Sequence, residues 1–388
     1  MSLSFRVLAL FVLAAAAAAP AAQPVADEPV LIASQDPAPP SAAAADSTRA
    51  ADPDRLAELE RQVAALEAER EAAVGLSGQV FTRYGLSTSG VGATRADNSF
   101  ALDRWYLTAK ARISESLQFR GTTDVVSTAP EARLGYTVIV KYAYFDWEAR
   151  PGVTLRAGVL QTGWQHYVTK LWGYRGVAKT LAHQNKHVSM ADVGAALFAD
   201  LPADLGEVAV QVQNGSGYRR LEADQFKDVS ARATLTPFAR AGGPLAGVQA
   251  GAHAYHGQYD GGRDRVRYGG LLGYKGDGFA VAVNAERRRD GEAVGQGVSV
   301  FGRARVAEVD GVGAFSLIGL LDAYDPATDA VDDQTLRGVV GLAYAPTPAL
   351  ELALDYQRTS AETPLFERYD GTPTAVDSGV FLHAILNY

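Results

Sequence analysis

The chain has 388 residues, no Cys, two Met and a formal net charge of -8. The missing thiols exclude cysteine catalysis, disulfides and Cys-ligated zinc, and the acidic balance argues against a nucleic-acid partner. The length fits one large domain or two average ones.

Residues 1–22 read as a signal peptide. Arg6 supplies the positive start, Val7 to Ala19 is apolar, and small residues offer a cleavage point. The apolar run is short for a spanning helix, which needs roughly 20 residues. A retained membrane anchor is the alternative. Residues 23–51 are rich in Ala and Pro with no period of 2.0 or 3.6, as in an extended linker.

At Asp52 the pattern changes. Asp52 suits a helix cap and Pro53 the first helical position. Leu56, Leu59, Val63, Leu66 and Ala73 follow 3-4 spacing among charged neighbours. The expectation is a short periplasmic coiled-coil helix over 52–74. A lone amphipathic helix is the alternative.

From Ser77 onward the period is two. Trp105, Leu107, Ala109, Ala111 and Ile113 share one face, while Arg104, Tyr106, Thr108, Lys110 and Arg112 share the other. About ten residues per segment, with short and long connections in turn, is the pattern of a transmembrane barrel. Strands are expected near 78–88, 99–113, 117–126, 134–148, 153–163, 191–199, 206–213, 227–236, 247–257, 265–274, 279–288, 297–307, 313–323, 334–344, 350–359 and 379–388. The fold class is thus all-β, a 16-stranded antiparallel transmembrane β-barrel over 77–388 with an N-terminal coiled-coil helix. An even strand number puts both barrel ends on the periplasmic side, in the cell outer membrane.

In the last strand Val380, Leu382, Ala384, Leu386 and Tyr388 share a face, which resembles the assembly signal of bacterial outer-membrane barrels. Tyr144, Trp147, Tyr274, Tyr344 and Tyr356 are candidates for the interfacial girdle. One register is ambiguous. Tyr136, Val138, Val140, Tyr142 and Tyr144 form one face of 134–148, yet Phe145 and Trp147 form the other. Either a bulge lies near Tyr142 or both faces meet protein.

No Asp or Glu occurs between Glu148 and Asp192. That gap holds Lys170, Arg175, Lys179 and Lys186, with His166, His183 and His187 beside them. A one-signed segment in an acidic protein suggests a loop folded into the bore, where its field acts on passing ions. On the wall, Arg104, Lys110, Arg112, Arg120 and Arg156 extend the anion path. Arg83, Arg232, Arg303, Arg305 and Arg337 also face inward, against Asp124, Asp228, Glu286, Asp322, Glu351 and Asp355. The alternative places the loop in solvent or against lipopolysaccharide.

Other motifs carry little. His183 and His187 are spaced for metal on a helix but lack a nearby carboxylate. Asn214-Gly215-Ser216 reads as a turn, and Asp325, Asp329, Asp332 and Asp333 as a solvated acidic loop. No catalytic constellation, cofactor or metal site is expected.

Four stretches resemble the phosphate-selective porin O and P family of outer-membrane porins. They are FALDRWYLTAKARIS from Phe100, VKYAYFDWEARPGVTLRAGVLQTGW from Val140, VQVQNGSG from Val210 with KDVSARATLTP from Lys227, and the terminal strand. The resemblance implies a trimeric 16-stranded barrel, an inward-folded third external loop, and basic residues lining an anion path. It departs at Gly158-Val159-Leu160-Gln161-Thr162-Gly163-Trp164, where the family's basic residue is Gln161 and its Pro is Gly163. The function expected is passive diffusion of small anions, phosphate or other oxyanions among them, without enzymatic activity. Expected partners are small anions, outer-membrane lipid and lipopolysaccharide, sister subunits of a homotrimer, and cell wall at the N-terminal segment. A weakly selective general porin and a barrel that tethers the envelope through the coiled coil are the rivals.

Overall fold

The computed structural model describes residues 58–59, 61–62, 74–87, 89–90, 98–128, 135–259, 261–368 and 372–388. The signal peptide, the linker and most of the helix expected over 52–74 lie outside the described residues. Within that helix, residues 58–59 and 61–62 are helical, and Glu58 takes contacts from Arg61 at 3.1 Å and Gln62 at 3.0 Å.

Sixteen strands close into one barrel, each paired antiparallel with its neighbours in sequence. They are β1 Gly75–Ser87, β2 Asn98–Arg112, β3 Leu117–Ser127, β4 Tyr136–Arg150, β5 Val153–Gln161, β6 Ala191–Leu201, β7 Gly206–Gln213 and β8 Asp228–Leu235. β9 Val248–Gln258, β10 Asp264–Gly276, β11 Phe279–Asp290, β12 Ala293–Val309, β13 Gly313–Asp325, β14 Thr335–Thr347, β15 Leu350–Ala361 and β16 Val376–Asn387 follow. β1 pairs with β16 through nine residue pairs, from Gln79 with Asn387 to Ser87 with Gly379. Closure leaves no strand edge with unpaired backbone groups, as a bilayer requires.

The two-residue period sorts the side chains. In β7, Val208, Val210 and Val212 are 37%, 49% and 45% exposed on the outside, while Ala209, Gln211 and Gln213 are buried inside. In β16, Val380, Leu382 and Leu386 face out, and Phe381, His383 and Ile385 face in. This reverses a soluble core, and it is the arrangement lipid demands.

A β-bulge resolves the ambiguous strand. Tyr142 pairs with Thr122 and Val140 with Thr123, so Lys141 is the extra residue. Val138 and Val140 face out before the bulge, and Phe145 and Trp147 face out after it. Lys141, Tyr142 and Tyr144 are turned inward and buried. Tyr144 therefore does not belong to the girdle. Trp147 and Tyr356, both on the outer face, remain suited to it.

Connections are mostly short on the side of the chain termini and long on the other. Two break the rule. Residues 236–247 on the short side include a 3-10 turn at Pro244–Gly247, and β11 reaches β12 through Gly291 and Glu292 alone. On the long side, Ser89–Gly90, Phe366–Arg368 and Pro373–Thr374 form a small three-stranded sheet that joins the first long loop to the last.

Candidate functional site in the barrel lumen

The longest connection, 162–190, folds into the barrel. It opens with helix α1, Gly163–Trp172, which ends at Gly173 in a left-handed conformation with φ 80°. Trp164, Val168, Leu171 and Trp172 recur at helical spacing, so they share one stripe. That stripe packs on the inner wall against Leu271, Ala280, Ala282, Phe301, Ile318 and Leu320. The small Ala280 and Ala282 leave room for the helix. Burying such side chains contributes about 1.5–3 kcal/mol each. A second short helix, α2, spans Leu181–Gln184.

Polar contacts from the wall fix the rest of the loop. Arg337 donates to the Lys179 carbonyl at 2.9 Å, Arg267 to the His187 carbonyl at 2.7 Å, and Gln357 to the Val177 carbonyl at 3.2 Å. The Trp164 indole donates to Glu286 and stacks on His253 with ring centroids 4.5 Å apart. His253 in turn meets Glu286 at 2.8 Å.

Because one side of the loop is committed to β10–β16, the other side faces open lumen along β1–β4. Two cavities lie there. The one nearer the long loops is about 390 Å³ and includes Arg83, Arg104, Arg175, Lys179, His183 and Arg337 in its wall. The one nearer the short turns is about 570 Å³ and includes Lys110, Arg120, Lys141, His166, Lys170 and Arg175. Phe81, Tyr106, Arg175 and Gly176 belong to both, so they form the neck between the cavities.

The charges on these walls are of two kinds. Arg83 pairs with Asp103 at 2.9 Å, Arg104 with Asp124 at 2.8 Å and Arg337 with Asp322 at 3.3 Å. Elsewhere on the wall Arg265 takes Asp228, Arg267 takes Asp290, and Arg232 takes Glu207. These pairs neutralise the inward carboxylates. By contrast, Lys110, Arg120, Lys141, Lys170, Arg175 and Lys179 have no carboxylate within ion-pair distance among the described residues. Among the described residues, Glu351 is the one side-chain carboxylate on the wall of the larger cavity, and it lies beside the Tyr174 hydroxyl.

Tyrosine rings replace carboxylates as neighbours. The Lys141 ammonium lies 3.8 Å from the centre of the Tyr106 ring and 5.5 Å from that of Tyr142. Arg120 lies over Tyr142 at 5.0 Å, and Arg175 over Tyr106 at 5.6 Å. Such contacts attract a cation without cancelling its charge.

Of the nine residues singled out from sequence, Lys170, Arg175, Lys179, Arg104, Lys110 and Arg120 come together on the two cavities. Lys186, Arg112 and Arg156 border neither. Arg156 is held by Asp146 at 2.6 Å and by Gln161 at 2.8 Å. Lys141, Tyr106 and Tyr142 were missed. The only signal for Lys141 was the broken alternation around it.

The loop histidines do not add charge near neutrality. Burial, then repulsion by Arg175 and Lys179, pushes His183 down to about 2. Burial pushes His187 down to about 4. Enclosure in the lumen, then Arg120 and Lys170, holds His166 at about 4. No group of three metal-ligating side chains occurs among the described residues.

No protein-family model matches the chain, and no curated protein matches it. Solved structures do. An anion-selective porin from Comamonas acidovorans is 12% identical, with a TM-score of 0.59 over 81% of this chain and 99% of that one. OmpF of Salmonella typhi is 11% identical, with a TM-score of 0.55 over 82% of this chain and 99% of that one. The fold is that of outer-membrane porins. The outer membrane channel DcaP of Acinetobacter baumannii, 12% identical, superposes with a TM-score of 0.52 over 81% of this chain and 97% of that one. A closed 16-stranded barrel with an apolar outer face fits the outer membrane.

Proposed function

We propose that this chain is a porin for passive diffusion of small anions across the outer membrane. One observation carries the reading. Among the described residues, six lumen cations lack carboxylate partners, whereas the inward carboxylates are mostly paired with Arg or His. In a narrow passage with low-dielectric walls, uncancelled charge of one sign concentrates the opposite ion. Several weak sites in series let an ion leave as well as enter. The selectivity named for the Comamonas porin belongs to that protein, and it is extended here as part of the proposal.

Phosphate and other oxyanions are candidate cargo because a guanidinium fork binds two oxygens at once. The sequence resemblance to the porin O and P family points the same way. Gln161 points toward a broader preference. It is buried against Arg156, so the family's basic residue has no counterpart there. We further propose a homotrimer, with residues 52–74 as a periplasmic coiled coil following a cleaved signal peptide and a linker over 23–51. In that arrangement the N-terminal segment reaches cell wall.

The test is the reversal potential of single channels in a planar bilayer under a salt gradient. A potential on the anion side supports the reading. No selectivity leaves a general diffusion porin, and no conductance overturns the porin reading in favour of an envelope tether.

A further inference from the structure

We infer that the outer face of β10–β12, just below the long-loop rim, docks the phosphates of outer-leaflet lipopolysaccharide. Strand β11 alternates cleanly. Ala280, Ala282, Asn284 and Glu286 are buried inside, and Val281, Val283, Ala285, Arg287 and Arg289 point outward. The outward row is apolar up to Ala285 and then turns to two exposed arginines. On β10 the same face carries Leu272, 69% exposed, and Tyr268, 46% exposed. Tyr268 is the register partner of Arg287, and Val266 that of Arg289.

Lipid must meet this face, so both guanidiniums stand where acyl chains give way to headgroups. A cation in that position needs an anion from outside the chain or an internal partner. The internal supply is poor. Among the described residues no carboxylate is within ion-pair distance of Arg287, and Asp264 approaches Arg289 only to 3.9 Å with both groups about half exposed. No long loop covers the pair, because Gly291 and Glu292 alone connect β11 to β12. The rim over β1, β4, β6 and β7 contrasts with it, although β15 also carries an exposed outward arginine, Arg358. Leu86 on β1, Tyr136 on β4, Val193 on β6 and Val212 on β7 keep the outer face apolar near the long loops. Two forked donors beside a half-exposed Tyr ring match a phosphate on an acylated sugar. On the side of the long loops, the outer leaflet supplies that chemistry as lipopolysaccharide.

The experiment uses the full-length protein in detergent and native mass spectrometry with bisphosphorylated lipid A. Dephosphorylated lipid A and the variant Arg287→Gln/Arg289→Gln are the comparisons. The wild type should retain the phosphorylated lipid about tenfold better than the dephosphorylated one, and the double Gln variant should lose that margin. Arg287→Lys/Arg289→Lys should keep most of it. Equal retention of both lipids by the wild type overturns the proposal even if the Gln variant fails to fold. A folded Gln variant that still favours the phosphorylated lipid also overturns it. Equal preference for phosphatidylglycerol over neutral phospholipid, without preference for lipid A, would assign the arginines to bulk headgroups and overturn the commitment to lipopolysaccharide. Channel selectivity should not change in any variant, which separates this site from the lumen.

Discussion

The Lys141 ammonium lies 3.8 Å from the centre of the Tyr106 ring, with the residue 1% exposed. It has no carboxylate partner among the described residues. A buried cation held only by aromatic faces is costly, since a ring offers about 0.5–2 kcal/mol against a larger desolvation term. Lys141→Met should therefore unfold at the same temperature as the wild type or higher, as followed by heat-modifiable gel mobility. The same variant should lose only part of its anion preference. One lumen charge is worth on the order of 1 kcal/mol, a factor of about five in the permeability ratio. A variant that is less stable but equally selective would assign Lys141 to packing alone.

The loop cations should not contribute equally. Lys170, Arg175 and Lys179 line the cavities and Lys186 does not. Changing the first three to Gln together should move the reversal potential toward zero by most of its wild-type value. Lys186→Gln should leave it in place. If all four act alike, the field of the whole loop matters more than its cavity-lining atoms.

Trp164 ties the loop to the wall through Glu286 and His253. Trp164→Ala removes the stack and a donor to a buried carboxylate, at a cost of about 3–5 kcal/mol. The barrel ladder does not depend on that side chain. Closed-barrel mobility on gels should persist while single-channel records become noisier and more often fully open. Unchanged records would mean that the remaining anchors, such as Arg267 to the His187 carbonyl, hold the loop alone.

Selectivity should respond to base more than to mild acid. Lys179 is held below the ordinary lysine range, by enclosure first and then by Arg104 and Arg337. A lowered lysine loses its proton sooner as pH rises. The anion-to-cation permeability ratio should thus fall from about pH 7 to about pH 9.5, and fall less in Lys179→Gln. Acidifying from about pH 7 to about pH 5 should change little, because His183 stays near 2 and His166 and His187 near 4. Reversal potentials across this pH range check both arms.

The barrel was legible because lipid enforces a strict rule on every strand. All sixteen expected strands exist, and β12 starts four residues before its expected 297. In β4 the alternation broke where the chain itself departs from it, at the Lys141 bulge. What one sequence does not carry is the cross-strand neighbour. The pairing of Arg104 with Asp124, and the freedom of Lys110 beside it in β2, depend on which strands meet and in what register. The basic loop announced itself by charge, yet its seat on β10–β16 follows from apolar spacing in α1 and small residues placed more than a hundred positions later. The short β11–β12 turn on the long-loop side gave no separate signal, since a two-residue Gly-Glu link reads the same on either side.

The β1–β16 seam brings together Gln79 and Asn387, whose side chains bond at 2.7 Å across 308 positions of sequence. Nearly every other ladder joins neighbours along the chain and needs no such reach. Loop-closure entropy makes the seam the slowest pairing to form by chance. Until it forms, β1 and β16 are both open edges that can capture foreign strands. Any truncation that removes β16 would therefore expose two edges at once. Its expected fate is degradation or aggregation before the membrane, with no smaller pore as a fallback.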